Sequence, residues 1–267
     1  MQILGYIASI IIGISLGMLG SGGSILTVPV LVYLMGVNPL LATTSSLFIV
    51  GCTSLAGGVR AYSKKMIDFK AVTEFGIPSI FSIFITRHYL LPAIPETLLT
   101  IGSLVISKEI FLMVVFAVLM LAASIKMITN KQNEGPDTTT KDDHRHKLFP
   151  LILLGLAIGT VTGLLGAGGG FLIIPALILF LKLPMKTAIG SSLVIIAVNS
   201  LFGFLFSLNQ FEYNWTLLLS FTGLAIAGIF IGSKLAEKIS SASLKKGFGW
   251  FVLIMGIYIL VKELFLR

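Results

Sequence analysis

Charged side chains are scarce in this chain: Asp, Glu, Lys and Arg make up 11% of its 267 residues, where soluble domains carry about 25%. With 56% hydrophobic residues and a mean hydropathy of +1.02, that scarcity excludes a soluble globular domain. Cys52 is the sole cysteine, so no disulfide forms within the chain; inside an apolar run it reads as a small buried hydrophobe. No nucleophile elbow, P-loop, zinc spacing or dinucleotide fingerprint is present, and the G-x-G-G strings lack the strand that a Rossmann turn needs. His144-Arg-His146 has no third ligand nearby and reads as part of a solvated segment rather than a metal site. No ionisable residue falls near the middle of a predicted span. Glu74 and Arg87 lie towards helix ends, where snorkelling to the interface is expected. A proton relay or a carboxylate-based sodium site would need acids inside the membrane.

What the chain has instead is apolar sequence along its whole length, in runs close to the roughly 20 residues that cross a bilayer as a helix. The expected fold is therefore an all-α polytopic membrane protein. Ten helical elements are expected, at 2–19, 24–36, 39–59, 70–90 and 98–128, then 148–165, 170–182, 185–206, 214–232 and 247–265. The first run has neither a basic n-region nor a small-residue cleavage site and is not read as a signal peptide. Net charge is +8, but the cations sit in short loops between spans, so a nucleic-acid partner is not expected; the bilayer is.

The sequence also repeats itself. Leu19–Leu31 reads LGSGGSILTVPVL and Leu165–Leu177 reads LGAGGGFLIIPAL, an offset of 146 residues from Gly20 to Gly166. The same offset pairs Gly13 with Gly159, Gly17 with Gly163, Ser45–Ser46 with Ser191–Ser192, and Gly57 with Gly203. A duplicated membrane unit broken by glycines at the same place in each half points to a secondary transporter whose site lies where the breaks meet. The helix after each break spans about 20 Å, too short for a core of about 30 Å. Each break is therefore expected to form a hairpin, with a kink at Pro29 and Pro175.

Loop charge gives orientation. Residues 60–70 carry Arg60, Lys64, Lys65 and Lys70 against Asp68, while the equivalent 207–213 carries only Glu212. Residues 233–246 carry Lys234, Lys238, Lys245 and Lys246 against Glu237, while the equivalent 87–97 holds Arg87, His88 and Glu96. The positive-inside rule places 60–70, 130–147, 182–186 and 233–246 in the cytoplasm, with both termini outside. Five elements per half also oblige the second half to start from the opposite side. The expected organisation is two inverted repeats, 1–129 and 148–267, each a glycine-broken hairpin followed by three spanning helices. A polar cytoplasmic linker, 130–147, joins them.

The candidate substrate-binding residues follow from the breaks. A helix that starts inside the membrane presents free N–H groups and a partial positive charge, which favours an anion. Gly22, Gly23 and Ser24 open the first such helix, and Gly168, Gly169 and Gly170 the second. For the spaced glycines Gly13, Gly17, Gly159 and Gly163, helix packing is the better reading. Ser45, Ser46, Ser191 and Ser192 either face a cavity or bond back to their own helices. Asn199, two turns beyond the second pair, is either interhelical glue or a substrate contact. Recognition through backbone dipoles and hydroxyls suits a small oxyanion. No catalytic residue, metal or cofactor is expected.

LGxGGxxxxxPxL in each half, the A-x-x-S-S that follows, and IGSKLAEKIS before the last apolar helix resemble the TauE/SafE family of sulfite exporters and related anion permeases. That resemblance implies transport of a small, often sulfur-containing anion across a bacterial-type plasma membrane. Ser21 and Ser24 in the first motif face Ala167 and Gly170 in the second, so the half-sites differ in hydroxyl content. Export agrees with a negative interior, which favours anion efflux by about 2.3 kcal/mol per charge at 100 mV. A coupled importer of a small organic anion and a membrane-embedded enzyme are the alternatives. Assembly into a homo-oligomer stays open.

Overall fold

The computed structural model describes residues 2–265 except 21, 96, 102–103, 130–147, 166–169 and 182. Its helices are α1 (Gln2–Leu19), α2 (Gly22–Tyr33), α3 (Pro39–Ser63), α4 (Phe69–Ala93), α5 (Lys108–Thr129), α6 (Leu148–Leu165), α7 (Gly170–Phe180), α8 (Met185–Leu205), α9 (Trp215–Glu237) and α10 (Ser241–Phe265). A single 3-10 turn, Leu208–Gln210, follows α8. Among the described residues ten helices match the sequence reading in number, but the fourth and fifth differ from it. Helix α4 runs on to Ala93 through a π-helical turn at Thr86–Leu90.

The helix expected over 98–128 starts only at Lys108. Residues Thr97–Ile101 (β1) and Leu104–Ser107 (β2) pair as an antiparallel hairpin, with Thr100 opposite Val105 and Ile101 opposite Leu104. The stretch is apolar enough to read as a span, but Thr97, Thr100, Ile101, Val105 and Ile106 are β-branched and favour the extended chain. Apolar content concealed that preference. The all-α expectation is corrected to that extent: helices otherwise make up the regular structure of the described residues.

Local chemistry fixes the helix ends. Asn38 accepts the Leu40 N–H at 2.9 Å and Pro39 opens α3. Asp68 Oδ1 accepts the Ala71 N–H at 3.0 Å to cap α4, and Asn214 Oδ1 accepts the Leu217 N–H at 3.1 Å to cap α9. Asp68 and Asn214 are one repeat offset apart, as are Ala71 and Leu217, so one capping device opens the fourth helix of each half. Each such cap contributes about 1 kcal/mol. Gly36, at φ +69°, turns the chain out of α2 in the left-handed conformation that glycine adopts without strain.

Among the described residues four helices are long and apolar enough to cross a membrane: α3, α4, α8 with its 3-10 extension, and α9. Helices α1, α5, α6 and α10 carry shorter apolar stretches, at Ile3–Leu19, Met113–Ala122, Leu151–Leu164 and Gly249–Lys262. Helices α2, of 12 residues, and α7, of 11, are as short as expected. The most apolar stretches of α3 and α8 are 67% buried, against 39% for α4 and α9, so α3 and α8 form the centre.

The packing of that centre is reciprocal. A Cβ on Gly57 would press on Leu193, and a Cβ on Gly203 on Leu47; each residue of one pair is the repeat equivalent of a residue in the other. Along the same interface Gly51 meets Leu201, Gly58 meets Val194 and Gly190 meets Ala61. Numbers rise on α3 as they fall on α8, so the two helices run antiparallel. The first helix of each half packs against the fourth helix of the other. Gly13 lies on the Ala225 carbonyl of α9, and Gly159 on the Ser79 carbonyl of α4. These are again equivalent pairs, and the spaced glycines serve helix packing as expected.

Candidate functional site

The first glycine break lies against the second half. Gly20 has φ +71°, and its N–H donates to the Leu16 carbonyl at 2.7 Å. A Cβ built on Gly20 would fall 2.9 Å from Ile189, 3.0 Å from Ile174 and 3.0 Å from Ser192 Oγ. Gly20 therefore lies against Ile174 of α7 and against Ile189 and Ser192 of α8. Gly22 and Gly23 open α2, and Ser24 beside them is fully buried. Gly23 has a packing role as well, since a Cβ there would collide with the Ile12 carbonyl across the hairpin. Of the second break, Gly170 opens α7, whereas Gly168 and Gly169 lie outside the described residues.

The serine pairs divide by position. Ser46 Oγ donates to the Thr43 carbonyl at 2.8 Å and Ser192 Oγ to the Ile189 carbonyl at 2.9 Å, so the second serine of each pair bonds back to its own helix. Ser45 and Ser191, the first of each pair, are buried as well. Ser191 Oγ accepts the Asp68 N–H at 2.8 Å, tying α8 to the start of α4. Asn199 is fully buried and its Oδ1 accepts from Ser79 Oγ at 3.0 Å, which joins α8 to α4; its Nδ2 has no partner. Ser54 and Ser200, one repeat offset apart, are also fully buried with hydroxyls lacking a partner. Sequence reading passed over both, although the offset that singled out Ser45 and Ser191 relates them too.

The two ends of the central pair differ. At the Ala61 end of α3 lies a cavity of about 50 Å³ lined by Arg60, Ala61, Lys186, Gly190, Ser233 and Glu237, among others. Glu237 accepts from Arg60 at 2.9 Å and also from Lys64, joining the ends of α3 and α9. The repeat offset carries Ala61, Gly190 and Ser233 onto Ser207, Thr44 and Arg87. At that opposite end the three corresponding residues, Thr44, Arg87 and Ser207, are all fully buried.

Arg87 corrects the snorkelling expectation: it is 0% exposed. Its Nη1 donates to Thr44 Oγ1 at 3.1 Å and to Ser207 Oγ at 3.4 Å, while Nε and Nη2 have no partner. No carboxylate among the described residues pairs with it. It sits in the π-helical turn of α4, Thr86–Leu90. Tyr213 donates to the Ser207 carbonyl at 2.9 Å. Burial pushes that phenol up to about 12, against the pull of the nearby Arg87 charge, so it stays protonated. Phe48, Phe204, Tyr213 and Trp215 form an aromatic cluster, edge-on or tilted, with ring centroids 5.1–6.2 Å apart. Among the described residues no group of acids, His and Cys is placed to hold a metal ion; His144 and His146 lie outside them.

A buried polar seam between antiparallel apolar helices, with a glycine break packed on it, is the architecture of a multi-pass membrane protein, and the family and relatives make that protein a membrane transporter. The chain belongs to the sulfite exporter TauE/SafE family, whose profile matches residues 5–259. It is similar to a probable membrane transporter protein of Xylella fastidiosa (strain Temecula1), at 30% identity over 94% of this chain and 91% of that one. The probable membrane transporter protein YunE of Bacillus subtilis is 27% identical over 89% of each chain. No solved structure matches the chain.

Proposed function

We propose that this transporter moves a small anion, sulfite, a sulfonate or a similar oxyanion, outward across the plasma membrane through two inverted repeats, 1–129 and 148–267. The contact of the Gly20 break with Ser192 carries the reading, because it sets the N-terminus of a short intramembrane helix against the other half of the molecule. The N–H groups of Gly22 and Gly23, in the first turn of α2, suit an anion there. The family name supplies the sulfur oxyanion, and reciprocal packing about an antiparallel central pair supports the inversion. Cationic residues at the cavity, Arg60, Lys64 and Lys186, favour entry of an anion from that side. A negative interior then drives efflux without a coupled ion.

Purified protein in liposomes, loaded with labelled sulfite, is expected to release it faster under an inside-negative potential than at zero potential. Release independent of potential and accelerated by an opposing sodium or proton gradient would establish coupled import instead. No flux of sulfite, sulfate or methanesulfonate would overturn the anion reading.

A further inference from the structure

Arg87 presents a paradox in charge. A guanidinium stays protonated in proteins, and a buried charge costs several kcal/mol unless paired. Here the pairing is half complete. Two neutral hydroxyls, Thr44 and Ser207, take Nη1, and the remaining donors, Nε and Nη2, are without partners. Those two nitrogens form one edge of the guanidinium, with parallel N–H bonds at the spacing of two oxygens on a carboxylate, sulfonate or sulfite. Thr44 from α3, Ser207 from the end of α8 and the π-helical turn of α4 hold the group in place, so the edge is pre-oriented. π turns of this kind recur at functional sites.

We propose that the Nε–Nη2 edge of Arg87 is an oxyanion-binding site at the end of the central helix pair opposite the Arg60–Lys64–Glu237 cluster. The proposal rests on the anion-transport reading above and adds to it a residue that touches the substrate at that end. The anion supplies the missing negative charge and two acceptors. Thr44 and Ser207 position the guanidinium through Nη1. Ser233, the repeat equivalent, lines the cavity and carries no charge. The two equivalent positions are therefore unlike, a buried guanidinium in the first half and a hydroxyl beside the cavity in the second.

The test uses the full-length protein in nanodiscs, wild type and the variants Arg87→Lys and Arg87→Gln, melted over a series of sulfite concentrations at constant ionic strength, with chloride as the control. Wild type should be stabilised by sulfite beyond chloride. Arg87→Lys, which keeps the charge and loses the bidentate edge, should need at least ten-fold more sulfite for the same shift, and Arg87→Gln should not respond. The wild-type titration decides even where a variant fails to fold: no stabilisation by sulfite, sulfate or methanesulfonate beyond chloride overturns the site. So does an unchanged response in Arg87→Lys and Arg87→Gln. A delipidated arm in detergent tests the other source of this chemistry; stabilisation by phosphatidylglycerol and by no free anion would assign the edge to a headgroup and overturn it. Liposome flux separates the two readings. Sulfite flux in wild type with an Arg87-independent response removes this site and leaves the transporter standing, whereas an Arg87-dependent response without flux keeps the site and removes the transport reading.

Discussion

Arg87 and Ser233 stand one repeat offset apart, yet one is fully buried and the other borders a cavity. The backbone around them is related by the repeat and the side chains are not. Equivalent positions of the two halves thus carry a buried guanidinium in one and a hydroxyl beside a cavity in the other.

Sidedness is tested by single cysteines on a Cys52→Ala background. Positions in 60–70 and 233–246 should react with an impermeant maleimide only from the cytoplasmic face, and positions in 207–213 only from outside. Antiparallel α3 and α8 place Lys64 and Asn209 at opposite ends. Labelling of 60–70 and 207–213 from the same face would remove the inverted arrangement.

Gly13→Val and Gly159→Val should each destabilise the protein by about 1–3 kcal/mol, because a side chain would be forced onto a backbone carbonyl of the partner helix. Thermal melts in detergent measure this. Equal effects are expected, since the two glycines make equivalent contacts; a large effect at one alone would show that the two interfaces carry different weight.

Ser191→Ala and Ser192→Ala should part company. Removing the Ser191 hydroxyl leaves the Asp68 N–H without its acceptor and should cost about 1 kcal/mol. Removing the Ser192 hydroxyl deletes only a bond to its own helix and should cost less. Sulfite flux beside thermal stability distinguishes support from contact: if Ser192→Ala raises the sulfite KM and leaves stability unchanged, its hydroxyl meets the substrate.

Glu237→Gln releases Arg60 and Lys64 at the cavity. Exposed pairs of this kind contribute at most about 1 kcal/mol, so the melting temperature should barely move. The freed cations should speed anion entry, most at low salt. Initial flux rates at low and high ionic strength check this, and a slower rate at low salt would show that the ion pair organises the entrance.

The sequence made the helices, the short α2 and α7 and the packing glycines legible, because each depends on local pattern or on the repeat. The β-hairpin at 97–107 was hidden, since apolarity serves a strand and a span equally well. Arg87 was hidden for another reason. Near a predicted helix end, interface and interior look alike, and only the π turn and the approach of Thr44 and Ser207 decide between them. Asn199 was legible as a polar residue in a span; its link to Ser79 came from the three-dimensional packing.

The exchange of first and fourth helices between halves has a consequence for biogenesis. Helix α1 leaves the ribosome first, but the α9 carbonyls on which Gly13 and Gly17 rest belong to Ala225 and Ile229. At synthesis rates of about 5–20 residues per second, α1 waits on the order of 10–40 s for its partner. During that interval its glycine face lies against lipid or a chaperone in the insertion machinery. Chains truncated before α9 should therefore be substrates for membrane quality control, however well their earlier helices insert.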